Sequence, residues 1–385
     1  MGLVALIIAG CIWLPCLHFV FHKSASDFYQ AQGLSPQARQ LAARHLDLWT
    51  EPQSRERELQ KMRASNAEWD FMGRSFLVWS LANMGLREPA SSKAYLQTID
   101  QIIDETVRLE KEQGMYFFLM PYAKARPYLA QPAHSLFLDG EIALMAASRR
   151  MLEERADYKQ LLTERVNAMA ERLRQSPQLV VESYPDECWM FDHVVALDAM
   201  RLADVLDGSD HSELIHKWLA MAKKKLVHEE SGLLISSFTT DGTPLDGPEG
   251  STLWMVAHCL QILDPDFARD QYARARREIG RTTLGFSYAS EWPISWTGPA
   301  DIDSGPIIPV FNISAGSSGM AFIAASAFND ETFLSSLATT LNFAAFPVHK
   351  DGRLKYCGSN QVGDAALLYA ATLGPVWQKA ANSKL

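Results

Sequence analysis

Residues 182–193 read ESYPDECWMFDH, which places Glu182, Asp186, Glu187 and Asp192 beside Tyr184, Cys188, Trp189 and His193. Carboxyl groups this close in sequence suit general acid/base work. Like charges held together in a poorly solvated pocket raise one another's pKa, leaving one carboxyl protonated and its neighbour free to act as base. In that arrangement Asp186 and Asp192 reach a cavity floor and Tyr184 and His193 orient them. Glu141 belongs with them, because Glu141 and Asp192 both fall just inside apolar helical stretches, past the capping position. Burial there costs free energy unless the group has a partner or a task. Asp70, in EWDFMGR, is a further catalytic candidate, and His134, Ser183, Ser251, Asp301 and Asp303 stand at or before other helix starts. Acids in such places often cap free N–H groups, which accounts for Asp139 and Asp364. Asp198, three residues before Arg201, reads as solvated.

The elements that position these groups are helices. Apolar residues recur at three- and four-residue spacing nearly throughout, pairing 68–86 with 93–110, 136–153 with 157–175, and 190–207 with 211–227. Residues 250–263 pair with 266–280, 314–328 with 331–345, and a last helix near 361–376 with an early one near 35–47. Six hairpins with little strand signal predict an all-α fold, an (α/α)6 toroid. Turns within pairs are short (LREPAS, DGSDH, LDPD, FNDE), whereas connections between pairs are long: 111–135, 176–189, 228–249, 281–313 and 346–360. Alternating helices put every long connection on one face, and long loops in compact domains are uncommon unless functional. The acids and the aromatics Phe118, Trp189, Trp254 and Trp296 gather on that face.

Other features narrow the classes. A net charge of −9 excludes the basic surface that nucleic acid requires. Residues 1–21 carry no charged side chain and are long enough to span a bilayer core as a helix. With no basic segment before the apolar run, residues 1–23 read as a membrane anchor or uncleaved signal, and 24–385 as one toroid domain. Cys188, Cys259 and Cys357 are widely separated, with no ligand spacing for structural zinc. Asp301 and Asp303 offer oxygen ligands of the kind Ca²⁺ takes. Loop bracing by DIDSG is the preferred reading, and neither a metal nor a cofactor is expected.

Several stretches resemble linalool dehydratase/isomerase, an α/α-barrel enzyme of the bacterial cell envelope. DFYQAQGLSPQARQLAARHLDLW resembles its N-terminal helix and GEIALMAASRRMLEERADY its second inner helix. SYPDECWMFDH falls on its Pro-Asp loop, and LDPDFARDQYAR and DIDSGP have counterparts in its C-terminal half. Glu141 stands where that family has a catalytic His, Ser183 and Asp192 where it has two catalytic Cys, and Met72 and Ser251 where it has two Tyr. Cys188 is out of register. The resemblance therefore implies the barrel and its pocket without the thiol machinery, a location outside the cytoplasm, and, from the family's ring assembly, leaves a homo-oligomer open.

Three readings follow. The first is a membrane-anchored lyase or isomerase acting on a hydroxylated terpenoid or lipid, with Met72, Phe118, Trp189 and Trp254 along its apolar tail. The second is a glycoside hydrolase or polysaccharide lyase, which paired carboxylates and loop tryptophans suit equally. The third is a non-catalytic binding module. A closed chamber favours the first, and an open acidic groove with stacked tryptophans favours a glycan.

Overall fold

The computed structural model describes residues 2–298 and 305–382. Four helices precede the ring: α1 (Gly2–Phe21), α2 (Ala25–Phe28), α3 (Pro36–Thr50) and α4 (Pro52–Ser65). Five hairpins follow, namely α5 (Ala67–Arg87) with α6 (Ser92–Gln113), α7 (Leu136–Leu152) with α8 (Ala156–Gln175), and α9 (Met190–Asp207) with α10 (Ser212–Lys225). The remaining two are α11 (Gly250–Leu263) with α12 (Pro265–Glu278) and α13 (Ala315–Ala327) with α14 (Glu331–Ala344). The chain ends in α15 (Gln361–Thr372) and α16 (Pro375–Asn382).

Helices α5, α7, α9, α11, α13 and α15 pack each on the next, and α15 closes on α5. Outer helices pack back on this ring, with α3 as the partner of α15. The division follows side-chain pattern. In α7 every residue from Leu136 to Met151 is buried, so no polar face is needed. In α6 the buried set Tyr95, Leu96, Ile99, Ile102, Ile103 and Thr106 forms one stripe at helical spacing. Inner helices touch closely where side chains are small: a Cβ on Gly140 of α7 would lie 3.3 Å from the Ala196 nitrogen of α9.

The long connections contain short strands that the helical periodicity does not announce. β1 (Cys188–Trp189), β2 (Ser237–Phe238) and β3 (Pro244–Asp246) form one antiparallel sheet, joining the connections before α9 and α11. β4 (Gly280–Thr283), β5 (Phe286–Ala289), β6 (Ile307–Ile308) and β7 (Ile313–Ser314) form a second, in the order β4-β5-β7-β6. β8 (Pro347–Lys350) and β9 (Arg353–Tyr356) make a hairpin against α3. These pairings gather the long connections at the N-terminal ends of the inner helices, which form the mouth. The other end is closed by α16, whose Trp377 stacks on His258 at 5.0 Å and whose Val376 N–H donates to Asn83 Oδ1 at 3.0 Å.

Candidate active site

Glu141 in the second turn of α7 and Asp192 in the first turn of α9 are 1% and 5% exposed. The Ser75 hydroxyl of α5 donates to Glu141 Oε2 at 2.5 Å, and Glu141 Oε1 meets no hydrogen-bond donor. Burial pushes the Glu141 carboxyl well above its ordinary range; Ser75 opposes this and the neighbouring Asp192 and Glu68 charges add to it. Burial likewise pushes Asp192 well up, against the Ser183 hydroxyl, with Glu68 and Glu187 adding like charge. Neither acid has an Arg or Lys partner among the described residues. Ionising one member raises the cost of ionising the other, so the pair favours holding a proton between them.

Glu68, in the first turn of α5, completes the cluster. It accepts a hydrogen bond from the Tyr184 hydroxyl, which itself accepts from the Met120 N–H at 3.0 Å. Burial and Glu68 hold the Tyr184 phenol far above its usual value, so it stays a donor. Glu182 fastens the loops beside it, accepting from the N–H groups of Leu129, Ala130 and Asp186 at 3.0, 2.8 and 2.7 Å.

Beneath this cluster the lumen stays polar. Asp198 is fully buried rather than solvated, because α9 has no solvent face at that level; its carboxyl is pushed well up by burial, with the Cys259 thiol beside it. Tyr369 and His258 follow, joined at 2.8 Å, and burial lowers His258 to about 4. Phe76 and Trp79 pack on Tyr369 at 5.9 and 5.6 Å and fill the lower lumen.

Other sequence candidates sit elsewhere. Asp70 faces outward, paired with Arg63 at 2.7 Å and Arg74 at 2.9 Å. Asp186 adopts φ 51° and accepts from the Thr240 hydroxyl at 2.8 Å, bracing the loop. His193 has both ring nitrogens engaged, Nδ1 donating to the Trp189 carbonyl at 2.7 Å and Nε2 accepting from the Val181 N–H at 3.0 Å. Burial lowers it to about 4, so it is a neutral brace of the backbone and orients no carboxylate. Trp254 is sealed in the core against Phe333, donating to Ser317 Oγ. Phe118 is buried against Phe71 at 5.0 Å, and His134 lies 3.5 Å from Asp139. Trp189 donates to Glu187 at 2.6 Å, and Trp296 meets His228 edge-on at 5.4 Å. Met72 is half-buried on α5 against the core. Ser251 donates to Glu291, a buried acid with no special signal in sequence, which also accepts from Ser314. Asp301 and Asp303 lie outside the described residues.

A cavity of about 380 Å³ opens on the outer side of α5, lined by Arg55, Arg63, Arg74 and Arg108. It is an ion-pair lattice rather than part of the carboxyl cluster: Arg55 and Arg74 both reach Glu105, Arg63 reaches Glu56, and Arg108 reaches Glu112. Among the described residues no His, Cys, Asp and Glu group has the geometry to hold a metal ion.

The ring of six inner and six outer helices defines an α/α toroid with an N-terminal apolar helix. No protein-family profile matches the chain, and no curated protein matches it. Among solved structures it is similar to the GH76A α-1,6-mannanase from Salegentibacter sp. HEL1_6, at 12% identity and a TM-score of 0.50, over 80% of this chain and 89% of that one. A GH76 α-mannanase from Bacteroides thetaiotaomicron is similar at 10% identity and a TM-score of 0.48, over 78% and 85%. At these identities the likeness is one of fold.

Proposed function

We propose that this chain is a membrane-anchored acid/base enzyme, a lyase or isomerase acting on a hydroxylated, lipid- or terpenoid-like substrate at the toroid mouth. The observation that carries this reading is the Glu141–Asp192 pair, buried without a cationic partner. A protonated member donates its proton to the substrate hydroxyl, the C–O bond breaks, and water leaves. The ionised member removes a proton from the adjacent carbon and the electron pair becomes a C=C bond, so the sum is loss of water. Adding the water back at another carbon, with one carboxyl protonating the double bond and the other taking the proton from the attacking water, makes the same sequence an isomerisation. The enclosed carboxyls and the burial of Trp254 in the core support a small apolar substrate over a polymer laid along tryptophans. The resemblance to linalool dehydratase/isomerase supports the same class and a toroid outside the cytoplasm, with carboxyls in place of its thiols.

Glycan hydrolysis is the second reading, favoured by the shared fold with an α-1,6-mannanase. Fold alone does not carry function, and the enclosed site fits a long glycan less well. The test is to incubate the purified chain with terpene alcohols, hydroxylated lipids and mannose oligosaccharides, with Glu141→Gln as control. Loss of water or double-bond migration, absent in the control, supports the first reading; release of reducing sugar replaces it with the second. Turnover of none of the three classes refutes both readings as drawn.

A further inference from the structure

We infer that the toroid mouth lies against the bilayer, so that the carboxyl site draws its substrate from the membrane. The inference rests on reading α1 as a membrane anchor. Helix α1 has 20 residues, no Asp, Glu, Lys or Arg, and no buried residue. Its last turn is what docks on the domain, on α14 and, through His18 against Phe286, on the neighbouring β4–β5 hairpin. Phe21 packs on Phe343 at 4.9 Å, and the Asn342 amide donates to the Phe21 carbonyl at 3.1 Å. Two residues on, the Lys23 N–H donates to Thr339 Oγ1 at 3.2 Å, and Ser335 Oγ donates to the Lys23 carbonyl at 2.6 Å. Read back toward the N-terminus, the contacts climb α14 from Ser335 to Phe343, a rise of roughly 12 Å at 1.5 Å per residue. Helix α14 is an outer helix whose C-terminal end leads into one of the long connections, so α1 leaves the domain at the level of the mouth.

The rim around that exit is apolar where water-facing loops are ordinarily polar. Leu284, Phe343, Phe346 and Val348 are all exposed close to the α1 contact, on the β4–β5 turn, the end of α14 and the start of β8. Farther round the same rim, Val310 and Phe311 stand 81% and 54% exposed in the turn between β6 and β7. Turns of this kind are normally built from Gly, Asn, Asp and Ser, and apolar residues clustered at exposed tips mark an interaction surface. The α1 helix selects the occupant, because a helix spanning a bilayer from this exit brings these tips to its surface. Apolar tips then sit at the acyl boundary, and a hydroxylated lipid passes from the bilayer to the mouth without crossing water.

The test uses the full chain with Cys11, Cys16 and Cys357 replaced by Ser, leaving only the buried Cys188 and Cys259. Phe311→Cys is labelled with an environment-sensitive fluorophore, and Asp266→Cys, at the closed end, serves as reference. Each is reconstituted into phosphatidylcholine vesicles with and without brominated acyl chains, and circular dichroism checks the fold. The inference expects brominated lipid to quench the label at 311 at least twofold and to leave the label at 266 unchanged. Equal, weak quenching at both positions in a chain that floats with the vesicles overturns the inference while sparing the anchor. A chain that does not float with vesicles overturns the anchor reading, and the inference with it.

Discussion

Replacing Glu141 by Gln should make the protein more stable, by an amount that grows with pH. The Glu141 carboxyl is buried and raised well above its ordinary range, and its single donor, Ser75, can donate equally to an amide oxygen. Above about pH 4.3 the unfolded chain has lost this proton while the folded chain keeps it. Stability then falls as pH rises, with a slope of about 1.4 kcal/mol per pH unit from this one group, until the folded value is reached. Below the unfolded value the contribution is fully present and the slope vanishes. Gln does not titrate, so the variant escapes this loss; groups that do not couple to Glu141 cancel in the difference, and Asp192 faces a neutral neighbour in both proteins while Glu141 keeps its proton. Urea unfolding in detergent at pH 4, 5 and 6, followed by tryptophan fluorescence, should show the variant gaining about 1.4 kcal/mol on wild type per unit above the carboxylate range. Parallel curves, with a constant difference at all three values, would mean that Glu141 titrates as an ordinary carboxylate and would refute the buried-acid argument.

Thiol chemistry should be dispensable: Cys188 is buried and burial drives its pKa far up, so Cys188→Ser and brief alkylation should leave turnover within about twofold. Asp70→Asn breaks a buried pairing with Arg63 and Arg74, so denaturation should show a loss of about 3–5 kcal/mol without a change in the pH–rate profile. Glu182→Gln weakens the triple acceptor that joins two mouth loops; a loss of about 1–3 kcal/mol and faster amide exchange at Leu129, Ala130 and Asp186 should follow. Full-length chain should sediment with membranes and a chain starting at Ser24 should not, which fractionation reads directly.

The helical frame was legible because its periodicity is strong: the paired helices of the ring fall within a few residues of their expected spans. Helix α4 was not, since PQSRERELQKMRAS buries only Leu59 and Met62 and reads as solvated chain. Helix α16 is short and is cut off from α15 by extended backbone at Leu373 and a φ of 120° at Gly374, so its role in closing the barrel has no local signal. The short strands of the mouth depend on pairing between distant loops, which spacing within one loop does not encode. Glu141 and Asp192 stood out because an acid inside an apolar helix past the cap needs a reason. Asp198 obeys the same rule, but Arg201 three residues on imitates a surface pair, and only the closed ring removes the solvent face. Glu68 and Glu291 were silent as site residues, since a carboxylate near a helix start or in a loop looks the same whether it caps, braces or reacts. His193 shows the converse: its company of acids suggested chemistry, and backbone bonds at both nitrogens remove it.

The most direct test of the central claim is the pH dependence of turnover for wild type, Glu141→Gln and Asp192→Asn on the first substrate found. If the pair is the acid and base of the reaction, wild type gives a bell-shaped profile. Each variant then loses one limb and about 10²–10⁴-fold in kcat, while remaining folded. If both variants turn over within a few-fold of wild type with the profile intact, the buried carboxyls are structural and the account is wrong.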